Sequence, residues 1–117
     1  MVSKTYKNDG IEGRPTTIAP AAVWDIDPGN LNRGNGVQRD YMAGFMPYNS
    51  LFIRNNDSNE IEVYPNGSYG RMISLPQGAT VTKTDEPFNF LTIKNIGAGN
   101  ILTKNITVLI EKLEKKQ

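Results

Sequence analysis

Leu51-Phe-Ile-Arg-Asn-Asn-Asp-Ser-Asn-Glu-Ile-Glu-Val63 is the stretch on which the fold is read. Leu51 and Ile53 alternate with Phe52 and Arg54, a period of two that puts the aliphatic pair on one face of a strand. A cluster of Asn, Asp and Ser follows, and Ile61 and Val63 resume the alternation. A polar cluster between two alternating runs predicts a β-hairpin with a loop longer than two residues. Forty residues later Leu91-Thr-Ile-Lys-Asn-Ile-Gly-Ala-Gly-Asn-Ile101 repeats the frame Leu-x-Ile-[Arg/Lys]-Asn, five spacers, Ile. Two related hairpins with facing apolar sides are therefore expected.

Outward from this repeat, short strands are expected at Arg71–Leu75, Ala79–Thr84 and Phe88–Asn95. Pro76-Gln77-Gly78 suits a type II turn, because Gly tolerates the positive φ that such a turn requires. Asp85-Glu86-Pro87 is expected to break the chain before Phe88. Ile106–Leu113 fits either a strand or a helix by spacing, and the β-branched Ile106-Thr107-Val108 favours the strand. Six or seven short strands at this spacing predict an all-β fold: a single antiparallel β-sandwich, jelly-roll-like or Ig-like. Residues 50–117 form that domain, ending in a charged tail.

Residues 1–49 read differently, with Pro15, Pro20, Pro28 and Pro47 among many glycines and no clear period. An extended N-terminal arm is expected there, because a plain loop of this length is rare in a compact domain. Its apolar residues argue for an arm that lies against something. That surface is either the chain's own sandwich or a neighbouring subunit. Trp24, Tyr41, Met42, Phe45, Met46 and Tyr48 are the candidate assembly-interface residues, since Trp, Tyr, Phe and Met are enriched in interfaces.

The 117 residues suffice for one modest core. A formal net charge of +1 gives no footprint for nucleic acid or an anionic membrane surface. With no Cys and no His, disulfides, thiol chemistry, His-based acid–base catalysis and His-ligated metals are excluded. No apolar run has the length of a membrane span, and the N-terminus lacks a signal-like apolar core, so a soluble, unprocessed chain is expected. Asp25-Ile-Asp27-Pro-Gly-Asn30-Leu-Asn32 is rich in oxygen donors, but the twelfth position from Asp25 is Gly36 where a calcium loop needs Glu. Asp25, Asp27, Glu60 and Glu62 are the carboxylates a hydrolase would use. Glu60 and Glu62 alternate with Ile61 and Val63 and so point away from the core. No catalytic residues, cofactor or metal are expected.

The frame Leu51–Asn55, Leu75-Pro-x-Gly-Ala-x-Val81 and Leu91–Asn95, within Ser50–Ile110, resembles small β-sandwich structural proteins of bacteriophage particles, such as capsid decoration, vertex and head-fibre-base proteins. An arm preceding a sandwich strengthens the likeness. The resemblance implies a non-enzymatic virion structural protein that stabilises a particle. It would form a homo-oligomer, a trimer or pentamer, and dock on a major capsid or other virion protein through its arm. No functional residue is carried over from it. The alternative is a carbohydrate- or ligand-binding β-sandwich module with Phe52, Tyr64 or Tyr69 as stacking platforms.

Overall fold

Alternating apolar residues build strands here wherever turn chemistry separates them. The computed structural model of the protein describes residues 2–7, 16–26 and 47–113, the first of these as backbone only. Ten strands lie in this span: β1 (Val2–Lys7), β2 (Thr17–Ile18), β3 (Val23–Ile26), β4 (Tyr48–Asn55), β5 (Ile61–Pro65), β6 (Ile73–Leu75), β7 (Thr80–Phe88), β8 (Leu91–Asn95), β9 (Ile101–Leu102) and β10 (Ile106–Leu113). Short 3-10 turns occupy Tyr69–Arg71 and Thr103–Asn105. One sheet has the order β1-β10-β4-β7, a second β3-β8-β5-β6, and β2-β9 form a two-stranded ladder.

The inner faces meet in one core. Leu51, Ile53, Val108 and Ile110 come from the first sheet, while Trp24, Ile26, Ile61, Val63, Leu91 and Ile93 come from the second. All are essentially sealed from solvent. Each such side chain contributes about 1.5–3 kcal/mol relative to exposure. The chain is thus an all-β, antiparallel, sandwich-like globule, as the alternation predicts.

The expected hairpins are not hairpins. β4 pairs with β10 and β7, whereas β5 pairs with β6 and β8, so the polar cluster Asn56–Glu60 carries the chain from one sheet to the other. The second copy does the same between β8 and β9–β10. The reason is local. Asn55 and Asn95 point inward and fold their amides back onto the following loop, which bends the chain across the core and prevents a tight reversal.

In its described parts the arm lies on the chain's own sandwich, one of the two surfaces expected for it. β1 pairs with β10, β2 with β9 and β3 with β8, all within the chain's own sheets. β7 runs unbroken through Asp85-Glu86-Pro87, because it is an edge strand and the ladder shifts there. Between Tyr48↔Phe88 and Ser50↔Thr84 the register slips, leaving the extra residues of β7 in a bulge. An edge strand at a bulge tolerates a proline that a central strand would reject. Ile106–Leu113 is a strand, with Ile106, Val108 and Ile110 inward.

The repeat runs deeper than the Leu-x-Ile frame. Ile18–Ala22 and Leu75–Ala79 are counterpart turns, closed by Ala22 N–H to Ala19 O at 2.9 Å and Ala79 N–H to Pro76 O at 3.0 Å. Both hold a left-handed residue at the fourth position of the five, Ala21 at φ 65° and Gly78 at φ 82°. The first receives Asn95 as its backbone partner and the second receives Asn55. β2, β3, β4 and β5 thereby correspond to β6, β7, β8 and the β9–β10 segment. Only the last differs: Ile61 pairs with both Leu75 and Asn95, and this role is divided between Ile101 and Ile106 around the Thr103–Asn105 turn.

Candidate functional site

Asn55 and Asn95 are both fully buried and make the same three bonds. The Asn55 Nδ2 donates to Asn59 O (3.0 Å) and Leu75 O (2.9 Å), and its Oδ1 accepts from Asp57 N–H (2.9 Å). The Asn95 Nδ2 donates to Gly99 O and Ile18 O, both at 2.8 Å, and its Oδ1 accepts from Gly97 N–H at 2.9 Å. A primary amide supplies two donors and one acceptor at this spacing, which a carboxylate does not.

The two corners lock together through Asp57 and Asn59. Asp57 is 5% exposed. Its Oδ1 accepts from the Asn59 backbone and side chain, both at 3.0 Å, while its Oδ2 accepts from Leu102 N–H at 3.2 Å and Asn105 Nδ2 at 3.0 Å. Burial alone pushes this carboxyl up. Bonds from the Asn105 side chain, the Asn59 backbone and side chain and the Leu102 backbone outweigh that and hold it below the ordinary 3.8. Asn59 reaches onward to Gly99 N–H (3.2 Å) and Asn100 O (3.3 Å). A Cβ at Gly97 would lie 2.4 Å from the Asn59 Oδ1 and 2.6 Å from its Cβ, so this close approach requires glycine. This network holds structure. Every oxygen of Asp57 faces donors, so it presents no ligand set to a cation.

Of the expected assembly residues, Trp24 and Tyr48 lie at 0% exposure in the chain's own core. Tyr48 packs its ring on Phe88 at a centroid distance of 5.8 Å. Neither offers side-chain surface to a neighbour. The other candidates, Tyr41, Met42, Phe45 and Met46, lie outside the described residues, as do Asp27, Asn30 and Asn32 of the oxygen-rich stretch. Asp25 accepts from the Thr92 hydroxyl at 2.8 Å. Glu62 accepts from the Tyr64 hydroxyl. Among the described residues no three His, Cys, Asp or Glu side chains gather where a metal would bind.

Among the described residues, two hollows and the edge of β7 bear on binding. The first is a shallow hollow of about 260 Å³ beside Tyr64, Thr92 and Lys94 on the outer face of β8 and β5. Tyr64 is only 8% exposed, too little for a sugar to stack on its face, and Phe52 is half-buried. The second, of about 220 Å³, opens between the sheets beside β6 and β7. The edge is β7 itself. Asn55 N–H bonds to Ala79 O, which sets the phase of the β4–β7 ladder. Alternation then turns the backbone groups of Thr80, Thr82 and Thr84 away from β4, and these three residues are exposed. Among the described residues no strand lies beyond them.

Compared with known proteins, the chain matches no family model and no curated protein. Among the described residues no helix is long and apolar enough to cross a membrane.

Proposed function

We propose that this chain is a non-enzymatic structural protein of a virus particle, a decoration, minor capsid or vertex component that oligomerises and docks on a virion protein. The observation that carries the reading is β7, a nine-residue edge strand with an exposed threonine row. Unpaired edges accept strands from neighbours, and natural monomers usually shield them. Pro87 and the bulge shield the far end of β7 only. The interlocked Asn–Asp corners support the same reading, since a rigid module with an open edge suits repeated assembly.

The docking element follows the structure. β1, β2 and β3 are committed to the chain's own sheets, so docking is assigned to the β7 edge, with Tyr41, Met42, Phe45 and Met46 as additional contacts argued from their residue types alone. Light scattering on the purified chain tests the self-association. An oligomer, a trimer or pentamer, is expected, and Thr82→Pro should reduce it to a folded monomer by removing an outward N–H. A monomer for the unaltered chain at all concentrations overturns self-assembly. Mass spectrometry of purified virus particles tests the location: the chain in stoichiometric amount supports it, and its absence overturns it.

A further inference from the structure

The internal repeat shows where the two halves of the core are filled differently. In the first half Trp24 pairs with Ile93 and Ile26 with Leu91, and both side chains are fully buried. At the corresponding positions of the second half Val81 pairs with Ile53 and Lys83 with Leu51. A valine stands where a tryptophan would fill the space, and a lysine stands at an inward-facing position where an isoleucine would. Lys83, though not Val81, lines a cleft of about 220 Å³ between the sheets. Leu51, Ile73 and Phe88 give it an apolar wall, and Arg71, Lys83 and Glu86 line it with charge.

The charges are only partly used. The Arg71 Nη1 donates to Pro87 O at 2.8 Å, which holds the guanidinium against the bulge. Among the described residues its other N–H groups make no hydrogen bond, and a guanidinium carries five donors. Lys83 meets Glu86 at 3.8 Å, with the two side chains 44% and 46% exposed. An exposed pair at that distance is weak and yields readily to a better partner. Among the described side chains two cations face one carboxylate, which gives the cleft a positive surplus. A dry cavity of about 150 Å³ already admits benzene.

We propose that this cleft binds a small organic anion with an apolar body, a carboxylate of about one ring's size. The ring lies on Ile73 and the exposed Met72, with the sealed Leu51 and Phe88 behind them, and the carboxylate meets Lys83 and the free edge of Arg71. Recognition of this kind combines an apolar pocket with a few convergent polar groups, and the charge-assisted bonds supply the preference for an anion. The site is independent of the assembly reading, because it lies between the sheets and leaves the outward threonines of β7 free.

The test is a titration of the full chain with benzoate, followed by amide NMR, with benzyl alcohol as the neutral probe of similar shape. Saturable shifts clustered at Leu51, Ile73, Lys83 and Phe88 are expected, with benzyl alcohol weaker by about tenfold. Arg71→Gln should weaken benzoate by a similar factor. Lys83→Ile rebuilds the residue of the other half and should abolish binding while the spectrum stays dispersed. Absence of saturable shifts, equal binding of the two probes, or benzoate binding untouched by both substitutions each overturns the proposal.

Discussion

At the residue scale, this sandwich depends on a few buried amides. Asn55 satisfies three backbone groups, two of them in buried bonds, so Asn55→Ala leaves Leu75 O, Asn59 O and Asp57 N–H without this partner. Leaving even one buried group unsatisfied costs about 1–3 kcal/mol, and a loss near the upper end is expected from urea unfolding. Asn95→Ala should cost a similar amount, because the bonds are the same. Gly97→Ala presses a methyl into Asn59 and should cost about 1–3 kcal/mol. Asn59→Gly on that background should recover part of the loss by removing the side chain in the way, which a double-mutant cycle would read as coupling.

Asp57 adds a pH dependence whose sign follows from its bonds. Its folded-state pKa lies below the unfolded value, so its contribution is fully present above about pH 4 and is lost as pH falls through the folded pKa. Urea midpoints measured from pH 6 down to pH 2 should fall at the acid end. Asp57→Asn should be less stable at pH 6 and should flatten that acid-side slope.

At the element scale, the strands of the first 26 residues belong to the chain's own sheets, and β2 and β3 fill part of the core. Deleting residues 1–45 removes Ile18, Trp24 and Ile26, all buried. Three such side chains account for several kcal/mol, against a total stability of about 5–15 kcal/mol for a typical domain. Circular dichroism of the truncated chain should show an unfolded protein rather than a smaller sandwich. Trp24→Ala alone should cost about 3–5 kcal/mol. Among the described residues its indole N–H has no partner, so the ring acts there by volume rather than by a bond.

At the scale of the whole molecule, all seven strand pairings among the described residues join one of β1–β5 to one of β6–β10. Neither half contains a pairing of its own. Fragments 1–66 and 67–117 should therefore each be unfolded alone and regain a dispersed spectrum when mixed. Folding should also be slow for the chain's size, because nearly all its pairings are distant in sequence. Failure of the fragments to complement would show that the loop at Asn66–Ser68 is needed to align the halves.

From residue 50 onward, most strand positions, their inward faces and the Pro76–Gly78 turn were legible in the residues themselves, because period two and turn chemistry are local; β1, β2, β3 and the run of β7 through Pro87 were not. So was the repeat, through Leu51–Asn55 and Leu91–Asn95. Which strand each one meets was not. Among the described residues only β5 and β6 are consecutive strands that pair directly, and the hairpin reading assumed that chain neighbours would do so. Asn55 and Asn95 looked like the polar ends of strands in sequence and proved to be buried clamps, since an amide's partners are known only when Leu75 and Ile18 arrive from elsewhere. Trp24 and Tyr48 looked like interface residues for the same reason: composition records that an aromatic ring must be covered, and only the tertiary structure decides that this chain covers it. The Lys83 cleft is visible only when Ile26 is seen at the equivalent place. Local periodicity determined the strands of this protein; long-range pairing decided the sheets, the core and the cleft, because backbone hydrogen bonds are satisfied equally well by any strand of suitable register, and side-chain packing chooses among them.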